Sequence, residues 1–289
     1  MSHYSANIDD FAMDSRSMAG PLTARLTAAR DAGFSQIMLS ASDLTSHPGG
    51  VEAAVADVKA SGLRVSGFQT LADFEGLAGP SLAYKIGVAK SMLEMCHAAG
   101  GHLLVVSAST LTHAASDTPT LIRNLRQLAM LAIPMNIKIA FKALPNGAVV
   151  KEFMQAWDLV CEADMPNLGL CLDTVDMLTT GVSQEDLDFL DGEKLFLVQL
   201  ADSIHAVVPH FRVFPGEGEH SSDLATWLSA FHGLGYRGDY GLAAFNGDYQ
   251  QMPPPDVAQR AWDSALWLGQ DVLQRSVPLP NQIRLKRDR

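Results

Sequence analysis

The stretch IPMNIKIAFK, residues 133–142, decides the fold. It starts where a helix-like segment, 120–131, runs out, and Pro134 and Asn136 then interrupt the chain. Proline removes a backbone donor, and asparagine tolerates the left-handed conformation that closes a helix. An apolar run follows at once and ends on Lys142. The same order recurs in DAGFSQIMLS (31–40), ASGLRVSGFQ (60–69), AAGGHLLVVS (98–107), ADMPNLGLCLD (163–173), DGEKLFLVQL (191–200) and GLGYRGDYGLAAF (233–245).

The runs at 37–40, 102–107, 137–141, 168–173 and 195–200 are almost continuously apolar. Strands of a parallel sheet covered on both faces have that composition. The segments between them read as amphipathic helices at 21–32, 51–60, 82–98, 120–131, 150–163 and 221–234. The last opens on a Ser-Ser-Asp cluster suited to an N-cap and carries Leu224, Trp227, Leu228 and Phe231. With an initial strand near 5–13, the chain holds eight βα units. This predicts an α/β fold, a (β/α)8 TIM barrel with an additional C-terminal helix at about 256–274. A doubly wound open sheet is the alternative, but no GxGxxG follows the first strand. No linker or composition break divides the chain. One domain is expected over 1–289, with the barrel at about 4–250 and the helix and tail at 251–289. Trp262, Leu266 and Trp267 would lay that helix on the barrel wall or into a subunit contact, so a homo-oligomer is one expectation.

Net charge is -11, which argues against nucleic acid as a partner. The basic tail RLKRDR, 284–289, reads as a solvated end. Three cysteines without a CxxC spacing argue against a disulfide framework or a structural zinc site. The polar, acidic start MSHYSANIDDFAMDS is no signal peptide, and no apolar run reaches the roughly 18 residues of a membrane span. A soluble cytoplasmic protein is expected.

Barrels of this kind carry their sites at the C-terminal ends of the strands. The residues there are Gln69 and Asp73, Ser107 and Ser109, Lys142, Asp173 and Asp176, Gln199 and Asp202, and LAAFN at 242–246. His113 lies in the loop after the fourth strand. His210 and Arg212 alternate with Phe211 and project to one side. HPGG at 47–50 lacks the Lys and Ser/Thr of a phosphate-binding P-loop.

The segments ADFEGL (72–77), NLGLCLDTVD (167–176), FLVQLADS (196–203), HFRVFPGEGEH (210–220) and GYRGDYGLAAFNGDY (235–249) resemble the xylose-isomerase-like TIM-barrel superfamily. Within it the chain is similar to sugar phosphate isomerase/epimerase proteins close to the bacterial 3-dehydroshikimate dehydratases. The resemblance runs over almost the whole chain. It implies a divalent metal of the Mg²⁺ or Mn²⁺ type at the barrel mouth, held by Glu on strand five, Asp on strand six, Gln or His on strand seven and Glu on strand eight. Asp173 and Gln199 match those ligand positions. Lys142 and Ala243 replace the two glutamates, and Asp176 stands where the family has His. The Arg expected before Asp-Phe-Glu-Gly is Ala72, and Val208 and Pro209 stand where the dehydratases have Ser and Arg. Arg212 matches the family's substrate-carboxylate binder.

A protonated lysine cannot ligate a metal. The expectation is therefore a protein with no bound cofactor and a degraded metal site, a pseudoenzyme that binds a small hydroxylated carboxylic acid or sugar-like ligand. The alternative is an active metal-independent isomerase/epimerase or 3-dehydroshikimate dehydratase-like lyase. Lys142 has three readings: an electrostatic replacement for the metal paired with Asp173, a Schiff-base nucleophile, or a side chain that snorkels to solvent. Asp173 is either the partner of Lys142 or a helix N-cap. Asp176 is a general base or a hydrogen-bond acceptor on a loop. Candidate catalytic residues are Lys142, Asp173 and Asp176. Candidate ligand-binding residues are Gln69, His113, Gln199, His210 and Arg212, with pairing of Arg212 to Glu217 or Glu219 as its structural alternative.

Overall fold

The computed structural model describes residues 8–204 and 211–273. Helix α5 (Thr118–Ala132) runs into a 3-10 turn over Ile133–Met135, and Asn136 closes it at φ 53° and ψ 43°. Strand β5 (Lys138–Lys142) begins two residues later. Thus Pro134 and Asn136 end the helix by the two mechanisms their side chains suggest.

The same unit repeats. Strands β1 (Phe11–Asp14), β2 (Gln36–Ser40), β3 (Arg64–Ala72), β4 (Leu103–Ser107), β6 (Leu168–Asp173) and β7 (Leu195–Leu200) alternate with helices α1 (Leu22–Ala32), α3 (Gly50–Ser61), α4 (Gly79–Ala98), α5 and α6 (Phe153–Ala163). Short helices α2 (Ala41–Thr45), α7 (Thr174–Thr180) and α8 (Gln184–Leu187) follow strand ends. A two-residue antiparallel pair, β8 (Asp202–Ser203) and β9 (Arg212–Val213), precedes helix α9 (Ser221–Gly233) and strand β10 (Asp239–Leu242). Eight strands close in the order β1-β10-β7-β6-β5-β4-β3-β2, and every pairing in the ring is parallel. This is the (β/α)8 barrel with its C-terminal helix, α10 (Pro254–Trp267).

Helix α10 lies against α1. Trp262 of α10 meets Phe34 edge-on at a centroid distance of 5.2 Å. Gly33, at φ 118°, ends α1 beneath the same indole, and a Cβ there would come within 2.9 Å of Trp262. A glycine is required both by the left-handed turn and by that close approach. The helix therefore packs on the wall of its own barrel.

Strand alternation sets the barrel interior. Ala12, Met38, Leu103, Val105, Ala140, Cys171 and Leu197 form one apolar cluster, separate from the larger one between sheet and helices. Two residues further along their strands stand Asp14, Ser107, Lys142, Asp173 and Gln199, on the same side by the period of two. Registers bring Ser107 beside Lys142 and Asp173 beside Gln199. The polar layer thus caps an apolar plug at the mouth of the barrel.

Some element boundaries differ from the expectation. The first strand ends on Asp14, one residue beyond the expected 13, because Asp14 still faces inward as a buried residue. Helix α6 starts at Phe153, where Glu152 and Gln155 form a capping box, three residues later than the apolar pattern alone suggests. Among the described residues, no helix is long and apolar enough to cross a membrane.

Candidate functional site at the barrel mouth

Lys142 ends β5, and its Nζ donates to Asp173 Oδ2 at 3.0 Å and to Gln199 Oε1 at 3.0 Å. Asp176 Oδ2 lies 3.7 Å away as a further ion-pair partner. The lysine side chain is 14% exposed, so it does not snorkel into solvent.

Asp173 serves both roles that the sequence allowed. Its Oδ1 caps α7 by accepting from the backbone N–H of Val175 at 3.1 Å and of Asp176 at 3.3 Å. The same carboxylate receives Lys142, and Arg212 Nη1 at 2.8 Å to each oxygen. Arg212 comes from β9, and its Nη2 donates to Asp176 Oδ1 at 2.9 Å. Asp176 stands on the first turn of α7 and not on a loop, because the Asp173 cap starts the helix immediately after β6. Arg212 pairs with these two aspartates and not with Glu217, which takes Arg260 and Tyr249 instead.

Burial opposes the charge of Lys142, but Asp173 and Asp176 outweigh it and raise its pKa above the usual lysine value. Burial likewise pushes against ionisation of Asp173, yet Arg212 and Lys142 hold its carboxyl well below the ordinary range. Asp176 goes the other way. Burial and the neighbouring Asp173 charge push it up to about 6. Its Oδ2 accepts no hydrogen bond, so the two cations satisfy Asp173 more fully than Asp176.

The cluster continues across the barrel. Gln199 Nε2 donates to Gln69 Oε1 at 2.8 Å, and Gln69 Nε2 donates to Asp14 Oδ2 at 2.6 Å. Chemistry fixes the direction of this chain. Lys142 can only donate, so Gln199 turns its oxygen toward the lysine and its nitrogen toward Gln69, and Gln69 in turn points its oxygen at Gln199 and its nitrogen at Asp14. Arg16 closes the far end. Its Nε and Nη2 donate to Asp14 at 3.4 and 3.2 Å, and its guanidinium lies 4.3 Å from the Phe245 ring centroid.

The interior of the cluster is full. The cavity beside it, lined by Lys142, Cys171, Asp173 and Asp176 among others, measures about 20 Å³. That is room for roughly one water, whereas sites for small organic ligands occupy about 300–1,000 Å³.

The structure therefore brings together Lys142, Asp173, Asp176, Gln199, Gln69 and Arg212. His113 is exposed in the turn after β4, and no hydrogen bond or ion pair joins it to this cluster among the described residues. His210 lies outside the described residues. Asp14 and Arg16 were not among the sequence candidates. The rule of inspecting strand ends would have found Asp14 had the first strand been placed one residue longer. Glu75, in the ADFEGL motif, was also missed. Its Oε1 accepts the backbone N–H of Ser109, its Oε2 is buried without a partner, and burial pushes its pKa up to about 7.

The family described as xylose isomerase-like TIM barrel matches residues 26–268. The chain is 33% identical to the 3-dehydroshikimate dehydratase of Pseudomonas aeruginosa over 274 residues, covering 91% of this chain and 42% of that protein. It is thus less than half as long as that relative. A solved xylose isomerase-like TIM barrel/4-hydroxyphenylpyruvate dioxygenase fusion protein superposes with a TM-score of 0.85 at 28% identity, covering 96% of this chain and 44% of that one. The IolI protein, solved with a bound zinc atom, superposes with a TM-score of 0.80 at 20% identity over 91% of this chain and 98% of its own, a likeness of fold. The sequence match and the closed parallel barrel agree, and the chain belongs to the xylose isomerase-like TIM-barrel family.

Proposed function

We infer that this protein is a family member in which the Lys142 ammonium stands in for the divalent metal, and which binds a small hydroxylated carboxylic acid or sugar-like molecule at the barrel mouth without transforming it. One observation carries the reading: Lys142 Nζ lies between Asp173 and Gln199, the two positions that match the family's ligands, at 3.0 Å from each. The donor set does not suit a hard dication. Such ions want several oxygen ligands, largely carboxylates and waters. Here Asp173 is already committed to two cations, and Ala243 is a buried methyl at the end of β10. Among the described residues, no group of three or more His, Cys, Asp or Glu side chains could hold a metal. A dication at this point would meet the lysine charge.

Because the cluster is filled, a ligand rests on its outer side and not among Lys142, Asp173 and Asp176. A second reading has one observation in its favour. Asp176, with its carboxyl pushed up to about 6 and an Oδ2 that accepts no hydrogen bond, has the properties of a proton-transfer group for metal-independent isomerisation or dehydration.

The test is incubation with 3-dehydroshikimate, the compound named in the Pseudomonas relative's activity, with and without added Mg²⁺, Mn²⁺, Co²⁺ or Zn²⁺. Calorimetric binding with no product by chromatography is the expected result. Product formed without metal, and lost in Asp176→Asn, would establish the second reading in place of the first. Product formed only with metal would overturn both.

A further inference from the structure

Among the described residues, the cluster that runs from Lys142 to Asp14 holds three cations at hydrogen-bonding distance from its carboxylates, and they are not equivalent. Lys142 and Arg212 are turned inward onto Asp173 and Asp176, and their side chains are only 14% and 11% exposed. Arg212 spends Nη1 on both oxygens of Asp173 and Nη2 on Asp176. Arg16 is different. One edge of its guanidinium, Nε with Nη2, grips Asp14. The opposite edge includes Nη1, which has no hydrogen-bond partner among the described residues, and the side chain is 31% exposed.

That free edge is held still from three directions. Asp14 is fully buried and is itself tied down by the backbone N–H of Arg16 at 2.9 Å and by Gln69. The Phe245 ring lies against the guanidinium plane. Gln250 Nε2 donates to the Arg16 carbonyl at 2.9 Å. A planar guanidinium with one edge committed and the other open presents two N–H groups in the geometry that a carboxylate accepts. Its orientation is set before any ligand arrives, which lowers the entropy lost on binding.

We propose that Arg16, and not Arg212, is the anion-binding residue of the barrel mouth, its Nη1 edge receiving the carboxylate of a small organic acid whose body rests on the outer face of the Gln69–Gln199–Lys142 chain. This rests on the reading of the mouth as a ligand site. It alters the role that the family resemblance gave to Arg212, whose two terminal nitrogens are engaged by the protein's own carboxylates. Phe245 then has a second function beside stacking, because it shields one face of the ion pair from water and strengthens the attraction.

The experiment uses 3-dehydroshikimate as probe. Calorimetry on the unaltered protein, Arg16→Gln and Arg16→Lys is expected to show affinity falling at least tenfold in Arg16→Gln, with part recovered in Arg16→Lys, which keeps the charge but loses the planar edge. Phenylglyoxal labelling of the unaltered protein, followed by peptide mass analysis, avoids any dependence on the folding of a variant. Arg16 is expected to label, and saturating 3-dehydroshikimate is expected to protect it. Unchanged affinity in a folded Arg16→Gln, or labelling of Arg16 that the bound acid does not slow, overturns the assignment and leaves the ligand site standing. Absence of binding by the unaltered protein overturns the ligand site and this assignment together.

Discussion

The Lys142 ammonium lies 3.0 Å from the Asp173 carboxylate, and a second cation, Arg212, reaches both oxygens of the same group at 2.8 Å. Neither Asp173 nor Asp176 is left as an uncompensated buried charge. Two cations and two aspartates form a neutral unit, and Gln199 and Gln69 carry its polarity across to Asp14.

Removing the ammonium without replacing it breaks that unit. Lys142→Met keeps much of the side-chain volume but leaves Gln199 Oε1 without its donor and Asp173 with Arg212 alone. Breaking a buried pair from one side costs about 3–5 kcal/mol. Urea denaturation should show a loss approaching that size, smaller where Arg212 compensates. A change below about 0.5 kcal/mol would mean that the lysine bond contributes nothing to the fold.

Lys142 should not act as an amine nucleophile. A Schiff base needs the free base, and Asp173 and Asp176 raise the pKa of Lys142 against the effect of its burial. Borohydride reduction in the presence of 3-dehydroshikimate should leave the mass of the Lys142 peptide unchanged. A reduced adduct on that peptide would contradict the salt-bridged state.

Glu75, which accepts the Ser109 N–H just after β4, supplies a pH dependence of its own. Burial raises its carboxyl from 4.5 to about 7, so the folded protein binds a proton that the unfolded chain has released. Stability from this source is complete below about pH 4.5 and is lost as pH rises toward 7. Glu75→Gln keeps an oxygen for the Ser109 N–H and removes the charge. Thermal melts should show the variant gaining on the parent between pH 5 and pH 8, by on the order of 1–3 kcal/mol at the upper end. Parallel melting curves across that range would show that Glu75 does not titrate as described. Asp176, also raised, adds a fall of the same sign up to about pH 6, which Glu75→Gln leaves in place.

The barrel was legible because its signals are local. Pro134 and Asn136 end a helix where they stand, Gly33 closes another, and continuous apolar strands imply cover on both faces. Lys142, Asp173 and Gln199 were legible as strand ends, and their side-chain direction follows from alternation. The sequence did not say which carboxylate each cation would choose. Arg212 lies 39 residues from Asp173, and its pairing depends on the short β8–β9 ladder, which no periodicity announces. Asp14 and Arg16 were missed for a related reason. A four-residue first strand carries too little pattern to place its final residue.

Introducing carboxylates at positions 142 and 243 tests the residue correspondence. Lys142→Glu with Ala243→Glu would place new oxygen donors beside Asp173 and Gln199. Manganese titration should show saturable binding in the double variant at least tenfold tighter than in the parent. Equal, negligible binding in both would mean that these two positions do not face one metal-sized point.

The most direct measurement is the metal content of the protein as purified without chelator, by elemental mass spectrometry, followed by titration with Mn²⁺ and Zn²⁺. If Lys142 occupies the cation position, Mg, Mn, Co and Zn will each be well below one equivalent, and added metal will not bind at the mouth. One tightly bound equivalent, lost on substitution of Asp173, would contradict the account.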